Sequence, residues 1–304
     1  MIKSITVTNY LGESVKLDLA RPELSGFAVV NVSGLGPGKA TINTTEVSTM
    51  DGDLYNSSRV GGRNIVLSLK YLWSPTIEDV RHKSYKYFPL KKEVTLLIET
   101  DKRTAEIKGR VESNEPTIFS SSEGAEISII CPSPFFYSAG EDGLSTVIFS
   151  GVDSLFEFAF SNESTTDDLI QFGSILNKTE NVVTYEGDSE SGLTLIIHAI
   201  GEARNITIYN VSTREYLRLN TDKLAAYTGS GIINGDEITI CTIKGNKSIT
   251  LLRDGHETNI LNCLEKNVDW FELSKGDNIF AYSAEYGAEN LQFKVEYRSL
   301  YAGV

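Results

Sequence analysis

Over most of the first half of the chain, apolar residues alternate with polar ones at period two, the pattern of strands with one buried face. Ile5 and Val7, then Val15, Leu17 and Leu19, lie on such rows, with Gly12-Glu13 between them as a turn. Phe27 and Val29 continue in extended form, and over residues 63–71 (RNIVLSLKY) Ile65, Leu67, Leu69 and Tyr71 share a face. Residues 93–112 read as a hairpin: EVTLLIE runs in, Thr100-Asp101-Lys102 turns, and RTAEIKGRV runs out. AEISIIC at 125–131 is a further strand, after which Pro132 and Pro134 stop regular pairing.

One helix interrupts the strands. Ser74 is placed to cap it and Pro75 suits its first position, where a missing N–H needs no partner. Glu78 and Asp79 fall near its positive end, and Arg81, Lys83 and Lys86 follow toward the negative one. Ile77, Val80, Ser84 and Phe88 form one stripe at helical spacing, and Pro89 ends the run. Trp73, just before the helix, reads as a residue packing helix onto sheet.

Residues 33–62 break the pattern. They are rich in Gly, Ser, Thr and Asn, with weak alternation from Ala40 to Val47 and glycines at Gly52, Gly61 and Gly62. Thirty residues without a core signature is long for a passive loop. Three readings stand: a projecting arm or hairpin ordered by a neighbour, a disordered segment, or an ordinary surface loop.

The second half is again strand-rich. LTLIIHAI (193–200), NITIYNV (205–211) and YLRL (216–219) form one series. DEITICTI (236–243) leads through 244–247 into SITLL (248–252), and Asp254-Gly255 is another tight turn. NIFAYSA (278–284) and LQFKVEYRSL (291–300) follow. Short strands between Gly, Asn and Asp turns indicate an antiparallel sandwich or jelly roll. A second short helix is expected over Thr166–Leu176. Pro132-Ser133-Pro134-Phe135-Phe136 marks a domain boundary, giving domains at 1–136 and 137–304. Phe135, Phe136 and Tyr137 are either interface anchors or a buried wedge between domains.

Charge steps at the same place. Residues 1–136 hold 16 basic and 16 acidic side chains, whereas 137–304 hold 12 and 25, so the whole net charge of −13 lies in the second half. Such a surface opposes phosphate, and no specific nucleic-acid binding is expected. Lys91-Lys92 and Lys102-Arg103 flank strands and read as solvated strand ends. The opening MIKSITVTNY lacks the apolar core of a signal peptide, and no apolar run is long enough for membrane insertion.

Little chemistry is offered. Cys131, Cys241 and Cys263 are widely spaced and read as buried free thiols, and His82, His198 and His256 are isolated, so neither a metal nor a cofactor is expected. Gly34-Leu35-Gly36-Pro37-Gly38 lacks the Lys-Ser/Thr that follows a phosphate loop and reads instead as the base of a flexible arm. There is no GxSxG and no HExxH. The densest carboxylates, Glu186 with Asp188 and Glu190, and Asp167 with Asp168, sit in polar stretches and read as solvated loops rather than as a glycosidase pair. Asp51-Gly52-Asp53 does not continue as an EF-hand. Trp270, with Glu272 nearby, is a weak candidate for a sugar contact and otherwise a core or domain-edge residue.

Several stretches together resemble the distal tail (Dit) proteins of long-tailed bacteriophages, the siphophage tail component family. They are the Gly/Ser/Thr-rich segment ending in Gly61-Gly62-Arg63 and flowing into NIVLSLKY; the helix followed by Tyr87-Phe88-Pro89 and EVTLLIETDKRTAEIKGRVES; and ISIICPSPFF. GLTLIIHAIGEARNITIYNVST, GDNI at 276–279 and the ending YRSLYAGV complete the likeness, which covers nearly the whole chain. The resemblance implies a fold dominated by β-structure with one short helix. The first domain (1–136) is then a β-sandwich or split barrel that builds a ring and sends out an arm (33–62). The second (137–304) is an outward-facing antiparallel sandwich of galectin or jelly-roll type.

The implied function is that of a structural hub, not an enzyme, at the distal end of the tail tube in the virion. It would be a homo-hexamer linking the tail tube protein to the tail-associated hub and baseplate proteins, with receptor-binding proteins as further partners. Gly61, Gly62, Arg63, Phe135 and Phe136 are its candidate interface residues. The His-Asn-x-Arg and Trp-x-x-Glu constellation of true galectins is absent, since His198 is followed by Ala199-Ile200-Gly201. The alternatives are a carbohydrate-binding module aiding host adsorption and, third, a glycoside-active enzyme.

Overall fold

A computed structural model describes residues 1–46, 48, 51–120, 122–140, 143–153, 174–177 and 179–304. The chain divides into two compact units, Met1–Gly143 together with Ser299–Val304, and Leu144–Arg298. No helix among the described residues is long and apolar enough to cross a membrane.

The first unit follows the period-two rows. β1 (Ile2–Asn9), β2 (Ser14–Asp18), β3 (Phe27–Ser33), β4 (Ala40–Glu46), β5 (Asp53–Val60) and β6 (Arg63–Tyr71) precede helix α1 (Ile77–Tyr87). β7 (Glu93–Thr100), β8 (Thr104–Pro116), β9 (Gly124–Cys131) and β10 (Phe136–Ser138) follow it. The main sheet runs β2-β1-β7-β8-β9-β6-β3, antiparallel throughout, and β10 joins it between β8 and a short C-terminal strand, Leu300–Tyr301. β8 splits the sheet. Ala105 and Glu106 pair with β10, and Arg110–Pro116 pair with β9 across a register shift between Val111 and Ser113. Side chains from both edges and from the middle, Leu17, Phe27, Leu67, Leu96, Ile107 and Ile129, enter one core.

Helix α1 packs on that core through Val80, Ser84 and Phe88, as its stripe requires. Its cap differs from the expectation. Thr76, not Ser74, ends the extended segment, and the Thr76 hydroxyl accepts the Asp79 N–H at 3.1 Å. Pro75 therefore precedes the cap instead of opening the helix. The Ser84 hydroxyl meets the Tyr71 hydroxyl at 2.9 Å, and the Asn9 amide donates to the Lys86 carbonyl at 3.2 Å, so α1 is tied to strands on either side of it. Trp73 does not pack helix onto sheet: it is 78% exposed. Val80 and Phe88 fill that junction from the helix itself, and the indole, three residues ahead of the cap, turns outward.

The second unit is a two-layer sandwich. β11 (Ser145–Ile148) is followed by the pair β12 (Ser150–Asp153) and β13 (Ser174–Asn177), then β14 (Glu180–Tyr185) and β15 (Thr194–Ala199). β16 (Thr207–Asn210), β17 (Glu215–Arg218), helix α2 (Thr221–Thr228), β18 (Glu237–Cys241) and β19 (Ser248–Arg253) come next. β20 (His256–Asn259), β21 (Gly276–Ser283) and β22 (Leu291–Tyr297) complete it. One sheet is β11-β22-β15-β18-β19-β20 and the other β14-β21-β16-β17. Leu195, Ile197, Ile240 and Phe293 from the first meet Val183, Ile208, Leu217 and Phe280 from the second in one core. Tyr282 stacks on Phe293 at 3.8 Å between ring centroids.

The series read through 193–219 is divided between the layers. β15 lies in the six-stranded sheet and β16 and β17 in the four-stranded one, because residues 200–206 turn the chain from one layer to the other. Helix α2 was not expected. Asn220 caps it by accepting the Asp222 and Lys223 N–H groups at 3.0 Å each, and Gly229 closes it in a left-handed conformation. Of the helix expected over 166–176, residues 166–173 lie outside the described residues, and Ser174–Leu176 belong to β13.

Candidate assembly interface

β4 and β5 form a two-stranded sheet that pairs with no other strand among the described residues, and every residue of both strands is exposed. Within 33–62, residues 40–46 and 53–60 thus form an exposed antiparallel hairpin. Composition accounts for this: Thr, Ser and Asn make up nearly half of the two strands and supply too little apolar area to bury the hairpin in the parent core.

The root of the arm is rigid. Gly34 has φ +83, and a Cβ there would lie 2.1 Å from the Asn64 carbonyl oxygen, so only glycine fits where β3 gives way to the arm. Gly62 packs closely on the end of β9, where a Cβ would come 2.8 Å from the Cys131 carbonyl oxygen. Gly61 is half-buried with open space where its Cβ would be.

Arg63, the first residue of β6, holds this region together. It is 6% exposed. Its Nη1 donates to the carbonyls of Gly34 (3.0 Å) and Gly36 (3.2 Å) at the arm root. Its Nε donates to the Pro134 carbonyl at 2.9 Å, Nη2 donates to the same oxygen, and Nη2 also reaches the Ala302 carbonyl at 2.8 Å. The guanidinium lies 4.3 Å over the Phe136 ring. Burial lowers its pKa, and no described carboxylate pairs with it. The C-terminus adds a tie of its own, the Val304 N–H donating to the Leu35 carbonyl at 3.1 Å. One side chain thus joins the arm root, the end of the first unit's main run and the returning C-terminal residues.

The other sequence candidates fall as follows. Phe136 is fully buried in the first core, beneath Arg63, so any part it has in an interface is as a support. Phe135 is half-buried, its N–H accepted by the Ser133 hydroxyl at 3.3 Å. Arg63, Gly62 and Phe136 come together; Trp270 lies in the other unit. Trp270 is partly buried against the second core, with the Lys247 ammonium 5.2 Å from its ring centroid. Glu272 beside it is paired with Lys244 at 2.9 Å. A stacking face already occupied by a cation is a poor platform for sugar. Glu186, Asp188 and Glu190 are exposed, with Asp188 3.8 Å from Lys275, while Asp167 and Asp168 lie outside the described residues. Among the described residues, no cluster of His, Cys, Asp and Glu is arranged to hold a metal ion. Sequence reasoning placed Trp73 inward and singled out neither Phe119 nor the role of residues 302–304.

No protein-family model matches the chain, and no characterised protein matches it by sequence. Solved structures do. They share its fold. The Dit protein of phage SPP1, described as a paradigm of the hub of the adsorption apparatus in phages infecting Gram-positive bacteria, superposes with a TM-score of 0.65 at 12% identity. The match covers 97% of this chain and 98% of that one, so both units take part in it. Two structures of the phage p2 baseplate in its activated conformation, with Sr and with Ca, match at TM-scores of 0.47 and 0.46 and 10% identity, each over 97% of this chain.

Proposed function

We propose that this protein is a structural hub at the distal end of a phage tail. Copies of its first unit form a homo-hexameric ring that joins the tail tube to the tail-associated and baseplate proteins, and the second unit faces outward. The single observation that carries this reading is full-length agreement with the SPP1 Dit fold, 97% of one chain on 98% of the other. The uncovered arm supports it independently. A two-stranded hairpin is marginal in water by itself, so an arm of this kind calls for a partner surface. The charge division supports it too: a neutral first half crowds without repulsion, and the acidic second half suits a solvent-facing position. The role is architectural, with receptor-binding proteins as further partners at the virion tip.

The test is direct. Purified protein examined by mass photometry and negative-stain imaging is expected to give hollow six-fold rings as concentration rises. Joining Gly38 to Gly61, which removes the arm, is expected to abolish the rings while leaving both cores folded by circular dichroism. A parent protein that stays monomeric at every concentration, alone and with tail tube protein added, would falsify the proposal.

A further inference from the structure

The two sheets of the second unit each turn one face outward, and the faces differ in kind. On the six-stranded sheet the outward positions of β15, β18 and β22 include Thr194, His198, Glu237, Thr239, Lys294 and Glu296. Lys294 is ion-paired with Glu296 along its own strand. That is the polar outer face expected of an antiparallel sheet with one side in water.

The four-stranded sheet carries a different face. Outward positions alternate with buried ones along β14 and β21, and the register sets them in two rows. Val182 lies opposite Ile279, whose carbonyl accepts the Val211 N–H at 2.8 Å. In the next row Ala281 lies opposite Tyr209, and Tyr209 opposite Tyr216. These apolar side chains therefore adjoin one another across strands about 4.8 Å apart. Val182 is 45% and Val211 47% exposed, Tyr209 and Tyr216 are 40% exposed each, and Ile279 and Ala281 are partly open. Together they present on the order of 350 Å² of apolar surface, within the range in which a patch marks a binding site. The core does not need them: Val183, Ile208, Leu217 and Phe280 fill it from the other side of the same strands.

Carboxylates stand around this patch. Glu180 pairs with Ala281 at the head of the tyrosine row. Asp277 lies beyond Ile279, opposite Thr184, whose hydroxyl donates to it at 2.8 Å. Asp269 flanks Tyr216, its N–H donating to the Tyr216 carbonyl at 2.9 Å. Among the described residues none of the three has an ion-pair partner, and Arg218, one position beyond Leu217, is already shared by Glu265 and Glu285. Against them the turn between β16 and β17 offers Arg214 alone, so the rim is acidic.

We propose that this face docks a segment of another polypeptide in which apolar side chains alternate with lysine or arginine. The apolar side chains cover Tyr209, Tyr216 and the valines, and the cations meet Glu180, Asp269 and Asp277. A second copy is a poor occupant, because it would bring one acidic rim against another, and the patch is less than half of the roughly 800 Å² that each partner gives to a stable interface. A glycan is a poor one too, since Val182, Ile279, Ala281 and Val211 offer its hydroxyls no hydrogen bond. Such docking goes beyond the hub reading and needs no ring.

The probe is a fluorescein-labelled (Lys-Val)4 peptide, titrated into the full-length protein by anisotropy. It is expected to bind about tenfold or more tightly than (Glu-Val)4, which brings the wrong charge, and than (Lys-Ser)4, which lacks apolar side chains. Y209S/Y216S, altered only at exposed positions, is expected to weaken (Lys-Val)4 about tenfold or more, and E180Q/D277N about threefold at low salt. Circular dichroism and ring assembly are expected to be unchanged in both. Tyr209→benzoylphenylalanine keeps an aromatic side chain and reads contact directly: irradiation is expected to attach it to (Lys-Val)4.

Equal binding of (Lys-Val)4 by Y209S/Y216S and the parent overturns the proposal, as does binding no tighter than that of (Lys-Ser)4. Failure of (Lys-Val)4 together with binding of chitohexaose that Y209S/Y216S abolishes gives the face to a glycan. Loss of self-assembly in Y209S/Y216S, or a photoadduct with the chain itself, gives it to this chain. Either result overturns the proposal and leaves the hub reading standing, whereas a parent that never forms rings yet binds (Lys-Val)4 through Tyr209 and Tyr216 overturns the hub reading alone.

Discussion

Arg63 in the first unit and Arg253 in the second are both largely buried, and the two are satisfied by opposite chemistry. In the second unit, Arg253 meets Asp236 side-on, Nε to Oδ1 at 2.7 Å and Nη2 to Oδ2 at 2.6 Å, with the carboxylate 1% exposed. Its remaining donors reach the Ser230 hydroxyl and the Gly231 carbonyl, both at 2.6 Å. Asp236 in turn accepts the Ile233 N–H at 2.9 Å. The pair is local, closing a loop some twenty residues long, and its charges cancel. In the first unit, Arg63 meets only backbone oxygens, from Gly34, Gly36, Pro134 and Ala302. Carbonyls carry partial charge, so the guanidinium keeps an uncancelled one. What it gains is reach, because a planar fork with five donors can join chain segments that a lysine, with one nitrogen, cannot. Arg253 stabilises a loop within its unit; Arg63 fixes where the arm leaves.

The largest effect is expected from Arg63→Met, which keeps bulk and removes every donor. Four carbonyls lose their partner at once. At about 1 kcal/mol net for each bond, the first unit should lose roughly 3–5 kcal/mol. Calorimetry should show the first unit's transition moving down and the second unit's holding. A thiol reports the same event locally. Cys131 is fully buried next to Arg63, and burial pushes its pKa up to about 11. At pH 8 it is expected to be inert to an aromatic disulfide reagent in the parent and to react at least tenfold faster in the variant, as opening free energy falls. Cys263, buried in the second unit, should react at an unchanged rate. An Arg63→Met protein whose Cys131 is as slow as in the parent would show that the carbonyl clasp is not what holds the arm root.

The contrast between the two arginines also marks how far the sequence could be read. Period-two rows locate most strands because burial of one sheet face imposes them: Ile65, Leu67, Leu69 and Tyr71 are all buried, as their spacing requires. Capping and charge locate α1 to within two residues. Helix α2 escaped notice although Asn220, Asp222 and Gly229 mark its ends, because eight residues with only Thr221 and Leu224 buried give no stripe. The arm was legible as a departure from pattern. The resemblance brought Arg63 forward, but its acceptors are carbonyls, which every residue possesses, so no motif marks Gly34, Pro134 or Ala302. The return of residues 299–304 to the first unit leaves no local trace either, since it depends on a side chain 239 positions away.

A smaller loss is expected from Asp236→Asn, which leaves the geometry but removes the counter-charge from Arg253. The remaining partners, Ser230 and Gly231, still accept, so the second unit should lose about 2–3 kcal/mol rather than unfold. The first unit's transition, the rate at Cys131 and ring assembly should not move. If Asp236→Asn disturbs assembly as much as Arg63→Met does, the division of labour between the two arginines is wrong.

The smallest expected effect concerns what stands beside Arg63 in place of a carboxylate. The Cys131 thiol is the titratable group that acts on Arg63, favouring its charged form, and Arg63 in turn opposes the rise that burial imposes on the thiol. In the unfolded chain a cysteine ionises near pH 8.5. In the folded unit it holds its proton to about 11. Between those values the unfolded state binds fewer protons than the folded one, so stability must fall as pH rises, by about 1 kcal/mol per pH unit for this one group. Cys131→Ala removes the difference. Its first-unit stability, followed by urea unfolding from pH 8.5 to 10.5, should fall less steeply with pH than the parent's, with the second unit's slope the same in both proteins. Equal slopes for the first unit would mean that Cys131 ionises without unfolding, giving Arg63 the counter-ion it lacks and making the two arginines more alike in alkali than they are at neutral pH.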